Sequence, residues 1–146
     1  MTDPRFPITF VGAGPGDPEL ITVKGQRALA EADRVIYAGS LVPEAVLSWC
    51  REGVPTANSA GMDLDAIVAA MAAGYRAGER VVRLHTGDPS LYGAIFEQMV
   101  GLRDQEIPYR VIPGVTAAFA AAAAMGIEYT RPEVTQTLIL TRAAGR

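Results

Sequence analysis

Apolar residues fall along this chain in two alternating patterns, and the alternation predicts its elements. Short β-rich runs occupy residues 8–11, 34–37, 80–84 and 109–112, and each stops at glycine, proline or a cluster of small residues. That is the signature of buried strands opening into loops. Between them lie longer stretches at helical spacing. The clearest is the stripe Leu64, Ile67, Val68, Met71 and Tyr75, closed by Gly78. A second helix, opening at residues 88–90, would set Leu91, Ile95, Met99 and Leu102 on one side. A helix within residues 17–32 has two candidate starts, Asp17 followed by Pro18, or Thr22 further on. Residues 43–50 read as a short helix. Residues 115–125 read as an Ala-rich one with Gly126 as its C-cap, its Ala120 to Ala124 run packed closely against a neighbour. After the break at Pro132-Glu133, residues 134–140 are expected to form a fifth strand.

Strands alternating with helices predict an α/β fold, a mostly parallel sheet with helices on both faces. Ligands in such sheets sit beyond the carboxyl ends of the strands. Three loops therefore carry the candidate chemistry: residues 12–17, 86–89 and 113–117. The first, Gly12-Ala13-Gly14-Pro15-Gly16-Asp17, matches a dinucleotide fingerprint only at its first two glycines. Asp17 stands where the third belongs, and Pro15 removes a donor. Glycine spacing before Lys24 does not fit a Walker A loop either. In the second loop Gly87 permits close backbone approach, Asp88 is placed to cap the following helix, and Tyr92 follows one turn in. His85, with nothing local to pair with, reads as a strand-end residue. In the third, Thr116 offers a hydroxyl and helix-start amides while Ala117 leaves room for a flat ligand.

Composition narrows the field. Among 146 residues, 49% are hydrophobic and 20% charged, as in a folded domain, and the formal charge is −3 (13 basic against 16 acidic). No Lys/Arg cluster supports a nucleic-acid or anionic-membrane surface. Cys50 and His85 are single representatives of their types, so neither an internal disulfide nor a zinc-type ligand set is expected, and Cys50 reads as an inert, buried thiol. Residues 1–7 have no apolar signal core, and no run reaches the ~18 apolar residues of a membrane span. A cytoplasmic protein is expected.

Taken together, Val11-Gly12-Ala13-Gly14-Pro15-Gly16-Asp17-Pro18-Glu19-Leu20, Gly87-Asp88-Pro89-Ser90-Leu91-Tyr92-Gly93 and Pro113-Gly114-Val115-Thr116-Ala117-Ala118 resemble the tetrapyrrole methylase family, in order and spacing. Three stretches are similar to the branch that methylates C-11 of precorrin-4 or cobalt-precorrin-4. They are Tyr37-Ala38-Gly39-Ser40-Leu41-Val42, the run from Arg83-Leu84-His85-Thr86 through Gly93-Ala94, and the stretch from Pro132 through Thr135-Gln136-Thr137 to Arg142. Uroporphyrinogen methylases tend to carry arginine where this chain has Ala94.

The resemblance implies a two-domain parent. Residues 1–130 would form its N-terminal cofactor- and substrate-binding domain, and residues 131–146 a linker and the first strand of a second domain. It implies S-adenosylmethionine as cofactor, lined by Pro15, Thr86, Gly87, Asp88, Thr116 and Ala117 with Tyr92 close by. It places Glu97 and Arg131 near a tetrapyrrole substrate. Because that substrate bears many carboxylates, Arg131 and Arg27 are expected to position it, with Glu97 the one candidate for a catalytic role. No metal is implied. A free edge at residues 134–140 would favour a homodimer. The competing readings are a methylase of the same fold acting on uroporphyrinogen, protein or ribosomal RNA, and a non-catalytic binding module.

Overall fold

The computed structural model describes residues 5–39 and 41–143 of the chain. Its sheet contains β1 (Ile8–Gly12), β2 (Arg34–Tyr37), β3 (Thr56–Asn58), β4 (Val81–His85) and β5 (Tyr109–Ile112). All pairings are parallel, in the order β3-β2-β4-β1-β5. Among the described residues five α-helices complete the fold: α1 (Val23–Glu31), α2 (Glu44–Leu47), α3 (Leu64–Arg76), α4 (Ile95–Arg103) and α5 (Ala117–Met125).

Side chains alternate across the strands, and each face has its own core. Ile8, Phe10, Ile36 and Val81 meet Ile67, Val68, Met71, Ala72 and Tyr75 of α3 and Ile95 and Leu102 of α4. Val11, Val35, Val82, Leu84 and Ile112 meet Ala28 and Leu29 of α1 and Val46 of α2. Helices thus cover both faces, as the alternating pattern predicts. No helix among the described residues is long and apolar enough to cross a membrane.

Local signals explain the element starts. Both candidate starts of the first helical region are used. Asp17 accepts from the Glu19 backbone N–H and opens a single 3-10 turn over Pro18–Leu20, while Thr22 accepts from Gly25 N–H and caps α1. Asp63 caps α3 through the Ala66 N–H, and Gly126, in the left-handed region, ends α5.

Four expectations need correction. The fourth helix does not open at residues 88–90. It begins at Ile95, because Tyr92 (φ 56°) and Ala94 (φ 49°) take left-handed conformations that no helix continues through. Asp88 is consequently not its cap. Strand β3 was not anticipated: Thr-Ala-Asn is too short and polar to leave a periodic trace, and it exists through its pairing with β2. Residues 134–140 form no strand, since only an isolated Arg131–Thr135 bridge gives this exposed segment a backbone partner; a strand requires a neighbouring ladder. Nor is the Ala run of α5 closely packed, for Ala122 alone among the α5 residues is buried. Ser40 and Arg146 lie outside the described residues.

Candidate functional site

Because β4, β1 and β5 are adjacent and parallel, the loops that leave them emerge side by side on one rim. They also touch. Gly14 and Gly87 exchange backbone hydrogen bonds, Gly87 N–H to Gly14 O at 2.7 Å and Gly14 N–H to Gly87 O at 3.2 Å. Asp88 ties in the third loop, since its Oδ2 accepts from Gly114 N–H at 3.0 Å while Oδ1 accepts from Ser90 N–H at 2.8 Å. A Cβ on Gly12 would lie 2.6 Å from Gly114 Cα, Gly114 N and Gly87 O, so the approach of the three loops leaves no space for one. Gly87, at φ +58°, faces the backbone of Val115, Thr116 and Ala117.

Trp49 ties down the 3-10 turn that follows the first loop by donating its indole N–H to Pro18 O at 3.0 Å. Thr116 stands at the N-cap of α5 but makes no side-chain cap bond. Its helix therefore presents first-turn N–H groups to the rim uncapped by a side chain, an arrangement suited to polar or anionic ligand atoms. Pro15, Thr86, Gly87, Asp88, Thr116 and Ala117 are thus brought to one edge of the sheet.

Tyr92 belongs to a neighbouring cleft. It is exposed, donates weakly to Leu140 O at 3.5 Å and has the Arg142 guanidinium 5.7 Å from its ring centroid. With Ala38, Ser59, Arg83, His85, Thr86 and Gln98 it lines a cleft of about 360 Å³ beyond the carboxyl ends of β2 and β4. Arg83 and His85 are 3% and 4% exposed. Burial pushes the Arg83 guanidinium down to about 10; burial and then the Arg83 charge push His85 down to about 3. Arg83 enters the sequence reading only inside the stretch that resembles the C-11 branch, with no role of its own, and Gln98 does not enter it. The available signal was a charge inside a buried central strand, where parallel sheets carry near-continuous apolar residues.

The other expected residues do not gather at the rim. Glu97 faces a groove between α3 and α4 with Asp65, Arg76 and Asp104. Arg131 lies with Glu128, Pro132 and Gln136. Arg27 lines a third depression with Lys24, Glu31 and Arg110. Cys50 is half-buried, and burial pushes its thiol up, away from reactivity. Among the described residues no group of three His, Cys, Asp or Glu is placed to hold a metal.

Among the described residues the rim is built largely from backbone N–H and C=O groups and small side chains. Known proteins of similar sequence and fold identify the family. The family model described as Tetrapyrrole (Corrin/Porphyrin) Methylases matches residues 7–146. A precorrin-4 C(11)-methyltransferase of Pseudomonas aeruginosa is 55% identical over 95% of this chain and 55% of its own length. The X-ray structure of a cobalamin biosynthetic enzyme, cobalt precorrin-4 methyltransferase, superposes with a TM-score of 0.92 at 51% identity, over 95% of this chain and 58% of the other. A uroporphyrin-III C-methyl transferase from Thermus thermophilus, complexed with S-adenyl homocysteine (S-adenosylhomocysteine), gives a TM-score of 0.73 at 34% identity over 90% and 53%. The chain thus spans about half the length of the relatives it matches. By sequence model, identity and fold together, it belongs to the tetrapyrrole (corrin/porphyrin) methylase family.

Proposed function

We propose that this chain carries the S-adenosylmethionine-binding part of a cytoplasmic methyltransferase acting on C-11 of precorrin-4 or cobalt-precorrin-4 in cobalamin biosynthesis. The observation that carries this reading is the meeting of the β1, β4 and β5 loops, more than a hundred positions apart in sequence at their extremes, on a single rim. The similarity to C-11 methyltransferases supports the choice of substrate.

The rim suits the cofactor on its own chemistry. Its glycines allow close backbone approach, Ala117 leaves a small floor, and the α5 N-terminus has no side-chain cap. Pro15, Thr86, Gly87, Thr116 and Ala117 would contact the cofactor. Asp88 has both carboxylate oxygens engaged with backbone, so its part is to lock the second loop to the third. Bound S-adenosylmethionine supplies an electrophilic methyl group on its sulfonium. What the chain contributes is placement and exclusion of water, which in well-oriented reactions is worth ~7–11 kcal/mol of barrier. Arg27 and Arg131 are assigned to substrate carboxylates and Glu97 to a position near the ring. They lie in separate depressions, Arg27 on the α1 side of the sheet and Glu97 on the α3–α4 side, so Glu97 and Arg131 rest on the family resemblance and Arg27 on the substrate's carboxylate chemistry. A homodimer is proposed on the exposed apolar residues Phe119, Met125, Ile127 and Ile139.

Isothermal titration of the chain with S-adenosylhomocysteine tests the reading. Saturable 1:1 binding, weakened at least tenfold by Asp88→Ala, is expected. Absence of binding, or binding indifferent to Asp88, would remove the cofactor assignment.

A further inference from the structure

We infer that Arg83, oriented by Gln98 and accompanied by His85, forms the floor of a carboxylate-binding subsite in the cleft beyond β2 and β4, distinct from the glycine rim. The identity of the acid, a side-chain carboxylate of the tetrapyrrole substrate, rests on the function proposed above; the subsite itself does not.

Arg83 lies in β4, between β1 and β2, in register with Phe10 and Ile36. It shares its face of the sheet with Val81 and His85, and the rest of that face is filled by Ile8, Phe10, Ile36 and Ile67. A guanidinium in such a place is costly unless it is paired. Among the described residues no carboxylate lies within salt-bridge distance of it. Its partners are neutral: Nε donates to Gln98 Oε1 at 3.0 Å and Nη1 to Ile36 O at 3.3 Å. Five N–H donors are present on a guanidinium, so these two bonds leave both the charge and several donors unmatched.

The geometry around Arg83 holds it in place for an incoming group. Gln98 is itself buried and anchored, its Nε2 donating to Ala94 O at 3.1 Å, so its carbonyl oxygen is fixed toward Arg83. His85, two residues along the same strand face, stacks on Phe10 with ring centroids 6.1 Å apart. Its Nε2 is buried and has no hydrogen-bond partner among the described residues. Native interiors rarely tolerate such an atom without a ligand or water to satisfy it. Both groups line one cleft with Ser59 and Tyr92. An uncompensated cation beside an unsatisfied neutral imidazole calls for an anion with more than one acceptor oxygen, and a planar carboxylate matches the guanidinium fork. A carboxylate also occurs on the amino-acid end of the cofactor. The substrate is favoured because the cleft lies over the β2–β4 half of the sheet and the rim over the β4–β1–β5 half.

Uroporphyrin III, an octacarboxylic tetrapyrrole, serves as probe in fluorescence titrations of the full chain, with S-adenosylhomocysteine calorimetry and thermal melts alongside. Arg83→Met is expected to weaken uroporphyrin binding at least tenfold, to leave S-adenosylhomocysteine affinity within twofold, and not to lower the melting temperature. A guanidinium kept for structure would behave oppositely, with a lowered melting temperature and unchanged uroporphyrin affinity. His85→Phe retains the stack on Phe10 and is expected to weaken uroporphyrin about fivefold. If Arg83→Met does not fold, Arg83→Lys, which keeps the charge but gives up the fork, is expected to show the same selective loss. The subsite is refuted if the parent chain does not bind uroporphyrin or the variants bind it normally. Parallel loss of S-adenosylhomocysteine would overturn the assignment to substrate. Selective uroporphyrin loss in a chain that never binds S-adenosylhomocysteine would instead refute the proposed function and leave the subsite standing.

Discussion

Replacing Gly12 by alanine adds one methyl group where the three loops meet. The backbone at Gly12 is not in the left-handed region, so the substitution introduces no torsional strain; its whole effect comes from contact. The new Cβ would lie 2.6 Å from Gly114 Cα, Gly114 N and Gly87 O. Carbon atoms prefer ~3.5–4.0 Å, so the overlap is about 1 Å against three backbone atoms that cannot rotate aside. Overpacking costs ~1–3 kcal/mol where side chains can yield. Here the loops must separate, which strains the Gly14–Gly87 hydrogen-bond pair, each bond being worth ~0.5–1.5 kcal/mol. A destabilisation of about 3 kcal/mol follows, or roughly 6–12 °C in melting temperature for a domain of this size. The assay is a circular-dichroism melt paired with S-adenosylhomocysteine calorimetry, in which affinity is expected to fall beyond detection. Gly61→Ala is the control, because a Cβ there meets nothing within 4 Å; it is expected to be neutral or to stabilise by up to ~1 kcal/mol. A Gly12→Ala chain that melts within a degree of the parent and binds normally would show that the loops do not meet.

Met71→Ala, at a fully buried position of α3, is expected to cost ~2–5 kcal/mol in urea unfolding. His85 gives a pH signature. Its folded pKa is pushed down to about 3 from 6.5, so between those values the unfolded chain binds the extra proton. The stabilising effect of a neutral His85 is then complete above pH 6.5 and lost on acidification, at up to ~1.4 kcal/mol per pH unit. Urea midpoints from pH 7.5 to 4.5 should fall less steeply in His85→Phe than in the parent, and equal slopes would contradict the assignment. Light scattering should report a dimer that Phe119→Glu with Ile127→Glu converts to monomer; a monomeric parent would remove the homodimer proposal.

Several elements were visible before any coordinates because their causes are local. The α3 stripe, the candidate cap at Thr22 and the glycine stop at Gly126 each depend on residues within one or two turns. The α4 start was misplaced because Leu91 fits the helical stripe in sequence, while the left-handed Tyr92 and Ala94 are imposed by the loop's path. Asp88 illustrates the same gap at the site. Its spacing before an apolar run looks like a cap, but its second oxygen is used on Gly114, twenty-six residues away.

Alternation of strand and helix, with glycines at the strand ends, was enough to determine the fold class and the three loops, since backbone periodicity and turn chemistry are properties of short segments. Strand order is not such a property. Only the tertiary structure placed β4 between β2 and β1, joined the loops through Gly12, Gly87 and Gly114, and buried Arg83 with no acid beside it among the described residues. Those outcomes depend on which distant segments share one sheet, and the energy of a charge or a methyl group is decided by its neighbours in space.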